Sequence, residues 1–178
     1  MTKQLFSGNL NIYYGQFYID VLDFDDESYL DMDSAFDDQQ NGLCGAQHPG
    51  KLFFMVGPQD GTARLRVELH DSEPHLLEDY QDIVECPFDA SARELHLCEW
   101  AFEAMHPLDL PSGEYVVRYS IKNIDHDYGE ECDWEQPVEG QEYLVQFWPG
   151  SALDDKIVRN VSELGHYWHQ ELGALQTC

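Results

Sequence analysis

The sequence predicts a mostly β protein, an antiparallel β-sandwich from Leu10 to Trp148 followed by one C-terminal helix. Three observations carry that expectation. Apolar and polar residues alternate in short runs, most clearly where Ala63, Leu65, Val67 and Leu69 interleave with Arg64, Arg66, Glu68 and His70. A period of two marks a strand with one face buried. Turn signals rich in Gly and Pro separate the runs at close intervals, as in sandwiches. After Pro149-Gly150 the apolar period changes to three or four residues.

Asn9 to Asp23 reads as two strands, or one strand bent near Gly15. Phe24 to Pro49 is acidic and weakly periodic, a long loop with a short helix around residues 29–36. Lys51 to Val56 is a short apolar strand closed by the turn Gly57-Pro58-Gln59-Asp60-Gly61, and the alternating strand Ala63–Leu69 follows. Further strands are Ile83–Phe88, Glu94–Trp100, Tyr115–Ile121 (entered through Pro111-Ser112-Gly113) and Tyr143–Trp148. Leu153, Ile157, Val161, Leu164, Trp168 and Leu172 then lie on one face of a helix within residues 152–172. Ser151 is its expected N-cap, with Asp154 and Asp155 in the first turn and Gly165 weakening the middle. At 178 residues, 43% hydrophobic and 13% aromatic, the chain is long enough for one well-buried core and reads as one domain, residues 1–178.

Charge is the anomaly. Thirty-five acidic residues face nine Lys and Arg, a formal net charge of −26. Self-repulsion on that scale lowers stability unless salt, a cation or a basic partner offsets it. Solubility in a saline environment is the bland alternative. The acids cluster in three runs without a base: nine between Asp20 and Asp38, seven between Glu68 and Glu85, and eight between Asp125 and Glu142. Such runs ordinarily form solvated loops. Three of them on a small protein predict a strongly negative surface, with Asp31, Asp33, Asp37, Asp38, Asp125, Asp127, Glu130 and Glu131 as candidate partner-binding residues.

The same balance argues against direct nucleic-acid binding, because phosphate contacts need Lys and Arg in a patch. It equally disfavours anionic membranes. The first ten residues lack the cationic start and apolar stretch of a secretory signal, and no apolar run is long enough to span a membrane. Five cysteines (Cys44, Cys86, Cys98, Cys132, Cys178) at irregular spacing suit reduced thiols and a cytoplasmic location.

No cofactor, metal or catalytic set is expected. Asp31-Met32-Asp33 opens like an EF-hand loop, but Phe36 stands where Gly is required and Gly42 where the bidentate Glu belongs. A looser calcium site on acidic loops is an alternative. His166 and His169 lie three apart on the predicted helix without a His-Glu-x-x-His signature, and His96-x-Cys98 lacks a second ligand pair. There is no Gly-x-Ser-x-Gly elbow and no phosphate-cradling loop. A hydrolase assembled from dispersed Cys, His and Asp is the second alternative. An acidic face has a different use. On a strand, same-face side chains recur about every 6.8 Å, near twice the roughly 3.4 Å spacing of charges along one DNA strand. A row of carboxylates can therefore imitate phosphates in a nuclease's basic cleft.

Three segments resemble the competence protein J family of nuclease inhibitors, found in competent Gram-positive bacteria. Ile12-Tyr13-Tyr14-Gly15-Gln16-Phe17 is similar to that family's opening strand, Cys86-Pro87-Phe88 to its mid-chain Val-Pro-Phe, and Leu108-Asp109-Leu110-Pro111-Ser112-Gly113-Glu114-Tyr115 to its Asp-Leu-Pro-x-Gly-x-Tyr turn. They occur in family order, about 100 residues apart end to end, and the resemblance covers about two thirds of the chain. The acidic Asp23–Asp38 stretch and the C-terminal helix have no counterpart in the pattern. The resemblance implies a compact β protein that blocks a nuclease or similar toxin by binding it, and it transfers no inhibitory residue.

Overall fold

The structure is a computed structural model that describes residues 1–21, 31–90, 94–126 and 133–173. Eleven strands among these residues form two sheets. In chain order they are β1 (Thr2–Ile12), β2 (Gln16–Asp20), β3 (Cys44–Gly45), β4 (Leu52–Met55), β5 (Gly61–His70), β6 (Asp82–Asp89), β7 (Leu95–Cys98), β8 (Met105–Leu108), β9 (Glu114–Lys122), β10 (Glu142–Pro149) and β11 (Lys156–Arg159). Two α-helices, α1 (Met32–Ala35) and α2 (Glu163–Glu171), and a 3-10 turn at Trp100–Phe102 complete the described elements. The larger sheet runs β1-β5-β10-β9-β6-β11 and the smaller β3-β4-β2-β7-β8.

The expected sandwich is present, with one refinement. Among the described residues every strand pair is antiparallel except β5–β10, which runs parallel from Tyr143 opposite Leu65 to Phe147 opposite Leu69. The turn near Gly15 resolves the opening region into two strands that join different sheets, β1 beside β5 and β2 between β4 and β7. β3, β8 and the first half of β1 went unforeseen in the sequence: β3 and β8 are too short for alternation to register, and a bulge between Gln4 and Phe6 interrupts the period of β1.

Alternation dictates the core. Leu65 and Val67, Val117, Tyr119 and Ile121, and Tyr143, Val145 and Phe147 all turn inward and are buried. They meet Phe17, Ile19, Leu52 and Phe54 of the smaller sheet, also buried. Phe17 stacks on Phe54 at 4.6 Å, and Tyr119 presents its edge to Phe54 at 4.9 Å. The two buried phenols carry hydrogen bonds across the interface: Tyr119 Oη donates to the Met55 carbonyl (2.8 Å), and Gly57 N donates to Tyr143 Oη (2.9 Å). Satisfying those hydroxyls is what makes Tyr tolerable so deep in an apolar layer.

The outer face of the larger sheet is polar, and its register lines up one continuous row: Lys156, Glu85, Arg118, Gln146, Glu68 and Gln4, one from each strand. Arg118 is its hub and is 1% exposed. Its Nε donates to Glu85 Oε1 (2.8 Å), Nη1 to the Pro74 carbonyl (2.7 Å) and Nη2 to Glu73 (3.1 Å), while the guanidinium lies 4.9 Å from the Trp148 ring centre. Lys156 reaches the other oxygen of Glu85 at 2.8 Å. The segment 71–81 is strapped over this face. Arg159 donates to the carbonyls of Leu77 (2.9 Å) and Tyr80 (2.6 Å), Lys122 pairs with Asp79 (2.6 Å), and Tyr80 packs with Ile83 and Leu144 in a second small core.

The C-terminal region departs from expectation. Residues 156–159 form the edge strand β11, and the helix occupies only Glu163–Glu171 with Ser162, not Ser151, as N-cap. Pairing of Ile157 with Val84 on the sheet edge outcompetes a helical turn there, as tertiary context commonly does for β-branched residues. Asp155 is not a first-turn carboxylate. It is buried, and it accepts hydrogen bonds from Gln40 N (3.0 Å), Asn41 N (2.7 Å) and Asn41 Nδ2 (2.7 Å). Gly165 is required, because a Cβ there would lie 2.6 Å from Asp82 Oδ1 and 2.7 Å from Ser162 Oγ. At Gly42 a Cβ would lie 1.9 Å from the Trp168 carbonyl, so the chain passes directly against the helix backbone. Gly42 N there donates to His169 Nδ1 at 2.9 Å.

Two outcomes follow from these buried groups. Arg118→Met strands Glu85 with Lys156 alone and should cost about 3–5 kcal/mol, the usual loss when one partner of a buried pair is removed. Urea unfolding measures it, and a loss below about 1 kcal/mol would remove Arg118 from its central place. The second concerns His169, whose imidazole is driven down to about 4, first by burial and then by His166. Its folded value lies below its unfolded value of 6.5, so its contribution is complete above about pH 6.5 and declines as pH falls toward 4. His169→Asn keeps an acceptor for Gly42 N without the titration. The stability difference between wild type and this variant should therefore move in the variant's favour between pH 6.5 and 4, by a few kcal/mol at most. A difference that stays constant with pH would refute this account.

Candidate partner-binding surface

The three acidic runs have different fates. The run from Glu68 to Glu85, which lacks a base in sequence, is answered in space. Glu68 pairs with Arg66 (3.6 Å) and His70 (2.9 Å), Asp71 with the N-terminal ammonium (2.6 Å), Glu73 and Glu85 with Arg118 (3.1 and 2.7 Å), Asp79 with Lys122 (2.6 Å) and Glu78 with Arg159 (3.9 Å). The seventh acid, Asp82, is buried, and its Oδ1 accepts from Val161 N (3.1 Å) and Ser162 N (3.2 Å). Burial raises its carboxyl above the ordinary range. This run is structural, and five of the nine cations (Arg66, Arg118, Lys122, Lys156, Arg159) are engaged on the same sheet face.

The run ending at Asp38 is different. Asp31 N-caps α1, accepting from Ser34 N (2.9 Å) and Ser34 Oγ (2.8 Å), and these bonds lower its carboxyl pKa. Asp33, Asp37 and Asp38 are exposed, and no cation among the described residues pairs with them. All four candidates therefore share one segment, of which one carboxylate serves the fold and three point to solvent. Asp20, at the start of the same run, is buried.

In the third run, Asp125 is a helix cap rather than a free charge. Its two oxygens accept from Glu163 N (2.9 Å) and Leu164 N (2.8 Å) at the positive end of α2. Asp127, Glu130 and Glu131 lie outside the described residues. Asp133, Glu135 and Glu139 are exposed. The described candidates do not form one patch: Gln40, two residues beyond Asp38, abuts the C-terminal end of α2 through Gly173, whereas Asp125 sits at its N-terminal end. The helix between them is about 13 Å long.

Among the described residues the other candidate chemistries find no assembled site. His169 is buried against Gly42 while His166, three residues earlier, is exposed beside Asn160 and Gln170, so the pair does not converge. Among the described residues, no group of three His, Cys, Asp or Glu is placed to hold a metal ion. Cys44, Cys86 and Cys98 are buried free thiols, and burial pushes the Cys98 thiol up to about 12, away from nucleophilic thiolate chemistry. An open cavity of about 590 Å³ at the N-terminal end of α2 is lined by Gln81, Asn123, Asp125, His126, Glu139 and Ser162 among others. No described helix is long and apolar enough to cross a membrane.

One surface feature was not foreseen. Four rings from three distant segments come together: Tyr13 lies 4.8 Å from Trp134 and 6.2 Å from Trp100, and Tyr14 lies 4.9 Å from Trp100. Tyr14 is 57% and Trp134 39% exposed. Backbone contacts fix the cluster: Tyr14 N donates to Asp60 Oδ1 (3.4 Å), Asn11 N to Glu99 Oε1 (2.9 Å), and Thr62 Oγ1 to the Trp134 carbonyl (2.8 Å). The one signal in sequence was a Tyr, rather than Asn, Asp or Gly, directly before the turn glycine Gly15.

Fold and surface together define a β-sandwich protein with five of its nine cations engaged on one sheet face and with carboxylates and aromatic rings left on the surface. Among solved structures the chain is similar to ComJ, inhibitor of the DNA degrading activity of NucA, from Bacillus subtilis, with a TM-score of 0.58 and 19% identity over 84% of this chain and 99% of that one. It is also similar to the crocagin biosynthetic gene J product, with a TM-score of 0.55 and 15% identity over 85% of this chain and 99% of that one. At these identities the likeness is one of fold. It bears out the resemblance read from the three segments and extends past the stretch from Ile12 to Tyr115 that they span. No family model and no curated protein matches the chain.

Because Asp125 holds two helix N–H groups, Asp125→Ala should destabilise the protein by about 1 kcal/mol, the usual value of an N-terminal cap. Urea unfolding checks this. An unchanged midpoint would return Asp125 to the set of purely surface charges.

Proposed function

We propose that this chain is a cytoplasmic inhibitor or immunity-type protein that binds a basic protein partner, a nuclease, and is not itself an enzyme. The observation that carries the reading is the distribution of charge on a nuclease-inhibitor fold. Five of nine cations are engaged on one sheet face, while Asp33, Asp37 and Asp38 have no cationic partner among the described residues. The fold likeness to an inhibitor of a DNA-degrading nuclease supports the choice of partner class. A basic cleft built for phosphates accepts carboxylates on the same electrostatic terms, and long-range attraction between −26 and a cationic surface accelerates encounter. Asp31, Asp33, Asp37 and Asp38 are the proposed contact segment, with Asp127, Glu130 and Glu131 as further candidates; Asp125 is retained only as a helix cap.

The test uses the nuclease captured from native extract on the immobilised chain, assayed by DNA degradation. Neutralising Asp33, Asp37 and Asp38 to Asn or Ser, with Asp31 kept as cap, should leave the protein folded. Association should slow several-fold at low salt, and wild type and variant should converge near 1 M salt, where the Debye length is about 3 Å. Equal inhibition by both proteins at low salt would rule this segment out as the contact.

A further inference from the structure

We infer that the exposed cluster of Tyr13, Tyr14, Trp100 and Trp134 is a docking surface for arginine side chains of a basic protein, the guanidinium planes stacking on the rings while the carboxylates of the same segments offset their charge. The inference rests on the basic-partner reading above and deepens it by locating a contact that the acidic runs alone do not indicate. Solvent-facing Tyr and Trp are the residues that most often anchor protein interfaces. Here two of the four, Tyr14 and Trp134, are 57% and 39% exposed rather than covered.

The backbone is arranged to present them. Tyr14 adopts φ +57° beside Gly15 at +67°, in a turn closed by the bridge between Tyr13 and Gln16. Two successive positive φ angles are the signature of a tight turn that favours Asn or Gly at its first position. A tyrosine there is conformationally costly, and it puts a ring at the tip. Ala101 and Phe102 also hold positive φ, +52° and +58°, in the 3-10 turn that sets Trp100 against both tyrosines. Non-glycine residues in that region gather at functional sites, where surrounding structure enforces them.

Charge selects the occupant. The ring-bearing segments read Tyr13-Tyr14-Gly15, Glu99-Trp100-Ala101-Phe102-Glu103 and Asp133-Trp134-Glu135, without a Lys or Arg. Glu99 is buried and holds the Asn11 amide, which leaves Glu103, Asp133 and Glu135 as the exposed carboxylates of these segments, and Asp60 adjoins through the Tyr14 amide. An anionic or phosphate-bearing ligand is repelled from such a surface. A planar cation is held both by the ring faces and by the carboxylates around them, and arginine satisfies both better than lysine because its guanidinium stacks and forks.

The test measures anisotropy of fluorescein-labelled nona-arginine and nona-lysine peptides titrated with the full chain. Wild type should bind nona-arginine more tightly than nona-lysine. Tyr14→Asn, which suits the backbone at that turn, and Trp134→Ser should each weaken nona-arginine binding roughly two- to fivefold and shrink the preference. Tyr14→Phe keeps the ring and should keep the preference, and circular dichroism verifies that each variant is folded. The Asp33/Asp37/Asp38 variant should weaken both peptides alike. If the ring variants bind both peptides as wild type does while the acidic variant weakens both, the docking inference is overturned and the basic-partner reading stands. If wild type binds neither peptide at low salt, the basic-partner reading falls and takes this inference with it. A wild-type dimer made monomeric by Trp134→Ser would assign the cluster to a second copy of the chain and also overturn it.

Discussion

The organisation of the larger sheet depends on one buried guanidinium. Arg118 sits in one of the two central strands of the polar row, bonded on one side to Glu85 and on the other to the strap through Pro74 and Glu73. Desolvating an arginine this completely is expensive, and ion pairing in the interior typically offsets little more than that expense. What the arrangement secures is uniqueness. Only one register of β6, β9 and β11 brings Glu85 between Arg118 and Lys156, and a slip by one residue would bury those charges in the sandwich core. The strap residues 71–81 then have a defined seat, because their carbonyls need the donors that Arg118 and Arg159 supply.

That constraint governs the surface as well. A protein with nine cations and thirty-five acids has few positive groups to place, and engaging five of them on one face leaves the opposite regions with little to neutralise their carboxylates. The negative character around Asp33, Asp37 and Asp38 is thus partly a by-product of how the sheet is stapled. The carboxylates are not equivalent, however. Asp31, Asp82, Asp125 and Asp155 all accept backbone N–H bonds, three of them where one segment docks on another. Part of the acidity is structural, with side-chain oxygens supplying acceptors that loops and helix ends lack.

Much of the fold was legible in the sequence, and the reasons for the exceptions are physical. β4, β5, β6, β7, β9 and β10 fall where period-two alternation and Gly/Pro turns place them. The helix was overextended because Ile157 fits both a helical stripe and an edge strand, and only its pairing with β6 decides between them. Less of the surface was legible. Charge runs reveal that carboxylates are abundant, but not which ones meet a distant arginine or a helix end: Glu73 meets Arg118 across 45 residues, and Asp125 meets Glu163 across 38. The aromatic cluster draws on residues 13–14, 100 and 134, a proximity that no local pattern encodes.

The lone parallel pair has a bearing on biosynthesis. β5 cannot acquire its second neighbour until β10 has been made, some 78 residues later, since Leu65 lies opposite Tyr143. Throughout that interval a ten-residue strand paired on one side only with β1 is open to capture by a neighbouring nascent chain. Non-local closure of this kind is also slow. The excess of carboxylates opposes the approach of like chains during that period, so the net charge of −26 also shields an unfinished sheet from its own copies.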